Sequence, residues 1–231
     1  MIGDSIIKNF LLYPHIWQHY FTKNIYLNCG ISGDSTQHVL WRAKNLTLPS
    51  TIKNVFILCG SNNVNKDSPI EIVNGIVSIG LSFIEQYKNI QVFLSGIIPR
   101  DSAVSVKRDI IYYINHHIEF FCSNNKGFYY VNPGKQWTNK DNSLKKDLFF
   151  KDNLHLIEKG YVKLSESIIK AFQSASNQLA KSKTHEDYNV KMSYHEQFPP
   201  LSEEYFRASS DGYSNGSLPL HSSITKNDHF N

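Results

Sequence analysis

The sequence predicts an α/β fold, a doubly wound parallel sheet with helices on both faces. Two observations carry this. Apolar runs of strand length alternate along the chain with longer segments of helical period. In addition, each stretch rich in chemically capable residues falls just after an apolar run. That is the carboxyl end of a strand, where ligands of such sheets bind.

In chain order, Ser5 directly follows a short first strand. Ile6, Ile7, Phe10, Leu11, Ile16 and Trp17 then recur at roughly helical spacing, and Pro14 breaks or bends the segment. Ile25-Tyr26-Leu27, within 24–29, reads as a buried strand, followed by a glycine-rich turn. Residues 36–46 predict a helix with Val39, Leu40 and Ala43 on one face. Val55-Phe56-Ile57-Leu58, within 54–59, is the clearest strand. Ser68-Pro69 supplies a cap and a first helical position for a long amphipathic helix over 70–87. A strand over 90–94, a helix over 106–122 and a strand over 127–131 follow. Residues 132–152 read as a polar loop, and the stretch from His155 to about Ala180 opens with a turn and becomes the last helix. Residues 1–180 are expected to form one domain. Residues 181–231 are rich in Ser, Asn, His and charge, without apolar period, and predict a disordered polar tail.

Composition narrows the function classes. At 231 residues the chain can bury a sizeable core. Its formal charge of +4 comes from scattered lysines rather than a basic block, so a nucleic-acid partner is not expected. Three cysteines, Cys29, Cys59 and Cys122, are too few and too irregular for a disulfide framework, which favours a reducing, cytoplasmic setting. Asp4 and Lys8 interrupt any secretory leader, and no apolar run approaches the ~20 residues of a membrane span. No metal site is expected either. His116 and His117 are adjacent on a helix and therefore diverge.

Four stretches, in order, supply the parts for acyl transfer through a serine: Gly3-Asp4-Ser5, the Gly30-Ile31-Ser32-Gly33-Asp34 turn, Gly60-Ser61-Asn62-Asn63, and Asp152-Asn153-Leu154-His155. A serine hydroxyl needs a base within hydrogen-bond reach, and His155 is the candidate for Ser5. Asp152 stands three residues before it, close enough to fix its tautomer and to stabilise the imidazolium. An oxyanion needs preorganised donors, and the backbone N–H groups of Ser5 and Gly33 with the Asn62 side-chain amide are the candidates. Asp4 reads as structural, holding the nucleophile loop through local hydrogen bonds.

These blocks resemble those of the SGNH (GDSL-like) hydrolases. Specifically, the run Leu27-Asn28-Cys29-Gly30-Ile31-Ser32-Gly33-Asp34-Ser35-Thr36-Gln37-His38-Val39-Leu40-Trp41-Arg42 is similar to the catalytic alpha subunits of the isoform IB platelet-activating factor acetylhydrolases. Gly96-Ile97-Ile98-Pro99-Arg100 and the stretch from Leu154-His155-Leu156 to Gly160-Tyr161 are similar as well. The resemblance runs to about Phe172. It implies a three-layer α/β/α, flavodoxin-like fold, with Ser5 as nucleophile, His155 as base and Asp152 as its orienter. It further implies Gly33, Asn62 and the Ser5 N–H as the oxyanion hole, and no metal or organic cofactor. The implied reaction is hydrolysis of a short acyl ester, typified by an acetyl group on a small or lipid substrate. A homodimer and a WD-repeat regulatory partner are implied too. One departure stands out. The family has a buried interior strand before Gly-Asp-Ser, whereas here only Met1 and Ile2 precede Gly3. The expectation is a truncated first strand that leaves its neighbours' backbone groups unpaired. It arises either because the sequence is a fragment or because the protein is a degenerate relative. The competing functional reading is therefore a relict, non-catalytic domain of this fold acting as a protein-interaction or mobile-element-encoded module.

Overall fold

The computed structural model describes residues 1–21, 26–101, 103 and 105–181. The tail expected beyond Lys181 lies outside the described residues. The strands are β1 (Ile2–Gly3), β2 (Cys29–Gly30), β3 (Asn54–Leu58), β4 (Gln91–Ser95) and β5 (Phe128–Val131). They form one parallel sheet in the order β2-β1-β3-β4-β5. The helices are α1 (Ser5–Lys8), α2 (Pro14–Phe21), α3 (Thr36–Asn45), α4 (Pro69–Gln86), α5 (Val106–Asn124) and α6 (Glu158–Lys181).

Alternation along the strands sends side chains into two cores. Val55, Ile57, Val92 and Leu94 face a cluster with Val39 and Ala43 of α3, Ile72 and Ile76 of α4 and Ile114 and Ile118 of α5. Phe56, Leu58 and Phe93 face the other side. There they meet Ile6, Phe10 and Phe21 from the N-terminal helices, Trp137, and Tyr161, Leu164 and Ile168 of α6. The result is three layers, α/β/α, as the sequence predicted. Both faces of β3 and β4 are buried, which is why they read as continuous apolar runs rather than alternating ones. Ser68 caps α4 through a reciprocal capping box with Glu71, and Pro69 takes the first helical position.

The first strand is truncated as expected, but it does not leave both neighbours unpaired: the two residues of β1 register against Cys29 and Gly30 on one side and Ile57 and Leu58 on the other. Pairing requires backbone, not length, and Gly3 lets the neighbour approach closely. A Cβ there would stand 1.9 Å from the Leu58 carbonyl oxygen. Of the second strand expected over 24–29, residues 24 and 25 lie outside the described residues, and among the rest the strand is confined to Cys29–Gly30. Tyr26 instead packs its ring on Phe21 and Phe172, and Asn28 turns its side chain to the Ile7 carbonyl and the Gly30 N–H. As expected, the stretch from His155 opens with a turn, and the last helix starts at Glu158. Cys29 is only half-buried, unlike Cys59. Among the described residues no helix is long and apolar enough to cross a membrane.

Candidate active site

Ser5 sits where β1 passes into α1, at the carboxyl edge of the sheet. Asp4, the N-cap, accepts the Ile6 N–H through its side chain at 2.9 Å, fixing the turn that presents Ser5. Asp4 is only 1% exposed, and burial pushes its carboxyl up to about 7 despite the Ile6 hydrogen bond. As the first residue of α1, Ser5 has a backbone N–H with no partner inside that helix.

The partner loop comes from the far end of the domain. It is fixed on both sides of His155. Phe149 and Leu156 form an antiparallel bridge, and Phe150 N–H donates to the His155 carbonyl at 2.8 Å. Tyr161, fully buried on α6, donates its hydroxyl to the Ile6 carbonyl at 2.9 Å and so ties this loop's helix to α1. Within the loop, Asp152 Oδ1 accepts the N–H groups of Leu154 and His155 at 3.0 Å each.

These constraints bring the three sequence-predicted residues into one line. Ser5 Oγ stands 2.9 Å from His155 Nε2, and His155 Nδ1 stands 2.7 Å from Asp152 Oδ2. A carboxylate can only accept, so Nδ1 carries the proton and Nε2 offers its lone pair to the Ser5 hydroxyl. Partial burial raises the Asp152 carboxyl. Hydrogen bonds from the His155 ring and from the Leu154 and His155 N–H groups outweigh that and hold it below its ordinary value. The Asp152 side chain is 49% exposed, His155 30%, and Ser5 as a residue only 8%.

The candidate oxyanion donors lie on the neighbouring loops. Gly33 has φ +83°, a left-handed turn residue with open space where a Cβ would be. Asn62 donates one amide hydrogen to the Asp34 carbonyl at 2.9 Å, leaving its second hydrogen uncommitted by that bond. Its neighbour Asn63 is completely buried. It accepts the Thr36 N–H at 3.0 Å and donates to Gln37 at 2.9 Å, pinning the start of α3 to the loop after β3. A hollow of about 760 Å³ runs along the outer edge of β5 between α5 and α6; none of Ser5, Asp152 and His155 lines it.

Sequence reasoning missed several supports. Asn63, Arg42 and Tyr161 lie within motif stretches, but only the fold reveals their partners. Arg100 ends another such stretch; it donates to the Ser61 carbonyl at 3.1 Å and steadies the Asn62 loop. Asp101 N–H donates to the Asn153 carbonyl at 3.3 Å, joining the loop after β4 to the His155 loop. Both residues are left-handed, with φ +61° and +54°. His38 serves locally, its Nδ1 capping α3 at Ser35. His117 donates Nδ1–H to the Tyr113 carbonyl, and its ring stands at 87° to that of His116.

No family model matches the chain. The human platelet-activating factor acetylhydrolase IB subunit alpha2 is 26% identical over 168 residues, covering 72% of either chain. A solved Streptococcus pneumonia structure named for platelet activating factor superposes with a TM-score of 0.63 at 26% identity, covering 73% of this chain and 80% of that one. A GDSL-like lipase from Bacteroides thetaiotaomicron gives a TM-score of 0.62 at 22% identity, covering 75% and 86%, and shares the fold. With the sheet order and the four motif blocks, these likenesses support an SGNH/GDSL-like hydrolase family.

Proposed function

We propose that the chain is a serine-dependent esterase that removes a short acyl group, acetyl foremost, from a small or lipid ester. The observation that carries this reading is the unbroken hydrogen-bond line from Ser5 through His155 to Asp152, at 2.9 and 2.7 Å. In this reading Ser5 Oγ attacks the ester carbonyl carbon while His155 Nε2 takes its proton. Asp152 keeps the imidazole in the Nδ1–H tautomer and stabilises the imidazolium. The carbonyl oxygen, now negative, is held by the N–H groups of Ser5 and Gly33 and the free hydrogen of Asn62. Collapse expels the alcohol, which takes the proton from His155. Water then attacks the acyl-serine with His155 again as base, releasing the acid and restoring Ser5. The acetyl preference rests on the relative's name, acetylhydrolase. The hydrolase domain, in the same proposal, ends with α6.

The test is hydrolysis of a short-chain aryl acetate by the chain and by Ser5→Ala, with circular dichroism on both. The expected result is a folded Ser5→Ala protein whose rate falls by about a thousandfold or more. A folded wild-type chain with no activity above Ser5→Ala would overturn the proposal and favour a non-catalytic interaction module.

A further inference from the structure

The three donors that the proposed reading assigns to the oxyanion come from three loops, each following a different strand. Nothing in the local sequence of any one loop sets its distance from the other two. Arg42, near the end of α3, makes the missing connection. Its Nη2 donates to the Gly3 carbonyl at 3.0 Å, two residues before Ser5. Nε and Nη2 both donate to Asp34 Oδ2, at 2.9 and 2.6 Å, one residue after Gly33. Nη1 donates to the carbonyl of Cys29, the first residue of β2, at 2.7 Å. Asp34 passes the connection on, since its own carbonyl accepts the Asn62 side-chain amide at 2.9 Å. The ion pair is largely buried, with side chains 18% and 12% exposed.

We infer that Arg42 is a positioning residue for the oxyanion hole, acting through Asp34 on Gly33 and Asn62 and through Gly3 on Ser5. The inference rests on the esterase reading. Arg42 touches no reacting atom. Its part is to make the separations among the three donors a property of one rigid, planar guanidinium. Preorganised donors stabilise an oxyanion only when they already point where the charge will develop. A lysine cannot substitute, because its donors radiate from a single nitrogen and do not span Gly3, Cys29 and Asp34 together. A purely structural clamp would lower the folded fraction and leave the folded enzyme's kcat intact. A positioning residue lowers kcat in the folded enzyme and couples to the donor it holds.

The test uses Arg42→Gln, Arg42→Lys, Asn62→Ala and the Arg42→Gln/Asn62→Ala double variant of the full chain. Aryl acetate kinetics are corrected for folded fraction. Expected are a kcat about tenfold or more lower in Arg42→Gln with KM nearly unchanged, little rescue by lysine, and losses that fail to multiply in the double variant. Multiplying losses, or a kcat that tracks folded fraction alone, would overturn the inference. Independently of activity, the Gly33 backbone amide and the Asn62 side-chain amide are expected to shift in the ¹⁵N spectrum of Arg42→Gln. Unmoved resonances would sink the inference even in an active enzyme. An inactive wild type would instead count against the esterase reading, with the spectrum still deciding the role of Arg42. Should Arg42→Gln not fold, Asp34→Asn decides. It keeps the Arg42 bonds to Gly3 and Cys29 while removing the carboxylate, and the same shifts and kcat loss are expected.

Discussion

Replacing Asp152 with Asn isolates the tautomer argument. The Asn oxygen can still accept the Leu154 and His155 N–H groups that Asp152 Oδ1 holds at 3.0 Å, so the turn survives. Its NH₂ then faces His155 Nδ1 in place of the Oδ2 that stood 2.7 Å away. Two donors cannot face each other, so the proton moves to Nε2, which then donates to Ser5 Oγ instead of accepting from it. Losing a charge-assisted bond and gaining one in the wrong tautomer costs about 2–4 kcal/mol. Losing the charge beside the imidazolium adds about 1–2 kcal/mol, toward the aqueous limit because the carboxylate is half exposed. At about 1.4 kcal/mol per decade, the sum predicts a kcat/KM roughly 10² to 10⁴ below wild type. Asp152→Ala is expected to lose less, since water reaching that exposed position can accept from Nδ1. The assay is aryl acetate hydrolysis with circular dichroism on each protein. A folded Asp152→Asn losing less than about tenfold, or an alanine variant worse than the asparagine one, would refute the reasoning.

Three other outcomes follow from the same geometry. Asn62→Ala is expected to lower kcat by about 10² to 10³ with a smaller change in KM, measured on the same ester. Gly3→Ala should destabilise the fold by more than about 3 kcal/mol, since its Cβ would stand 1.9 Å from the Leu58 carbonyl; a urea titration reads this directly. Asp4→Asn should remove a pH-dependent loss of stability. The folded carboxyl sits at about 7 against an ordinary 3.8, so the folded state holds the proton more tightly. Stability from this group is present below about pH 4 and declines as pH rises through about 7, by at most about 4 kcal/mol. The difference in Tm between wild type and Asp4→Asn, followed from pH 4 to 8, checks it.

Much of the fold was legible because its strands are buried on both faces. Val55 to Leu58 cannot be anything but interior, and the Ser68-Pro69-Ile70-Glu71 box announces α4 unaided. The three residues of the Ser5–His155–Asp152 line were legible as residue types in order, since acyl transfer narrows the choice of nucleophile, base and orienter. Their geometry was not. It depends on the Tyr161 hydroxyl reaching Ile6 and on the Phe149–Leu156 bridge, both long-range contacts with no local signature. Cys29–Gly30 was misplaced because Ile25-Tyr26-Leu27 reads as an apolar run, whereas Tyr26 packs its ring on Phe21 and Phe172 and Asn28 bonds the Ile7 carbonyl. Arg42 escaped notice because a cation on an amphipathic helix ordinarily belongs to the solvated face.

The brevity of β1 also bears on what sets the position of Ser5. The segment takes its pairing from parts remote in the chain, as Cys29 N–H to the Met1 carbonyl, Ile31 N–H to the Gly3 carbonyl and Asp4 N–H to the Leu58 carbonyl. The place of Ser5 is therefore a tertiary property rather than one of its own stretch of chain. A substitution in the loops after β2 or β3 is expected to reach Ser5 through these bonds, even where Ser5, His155 and Asp152 are left untouched.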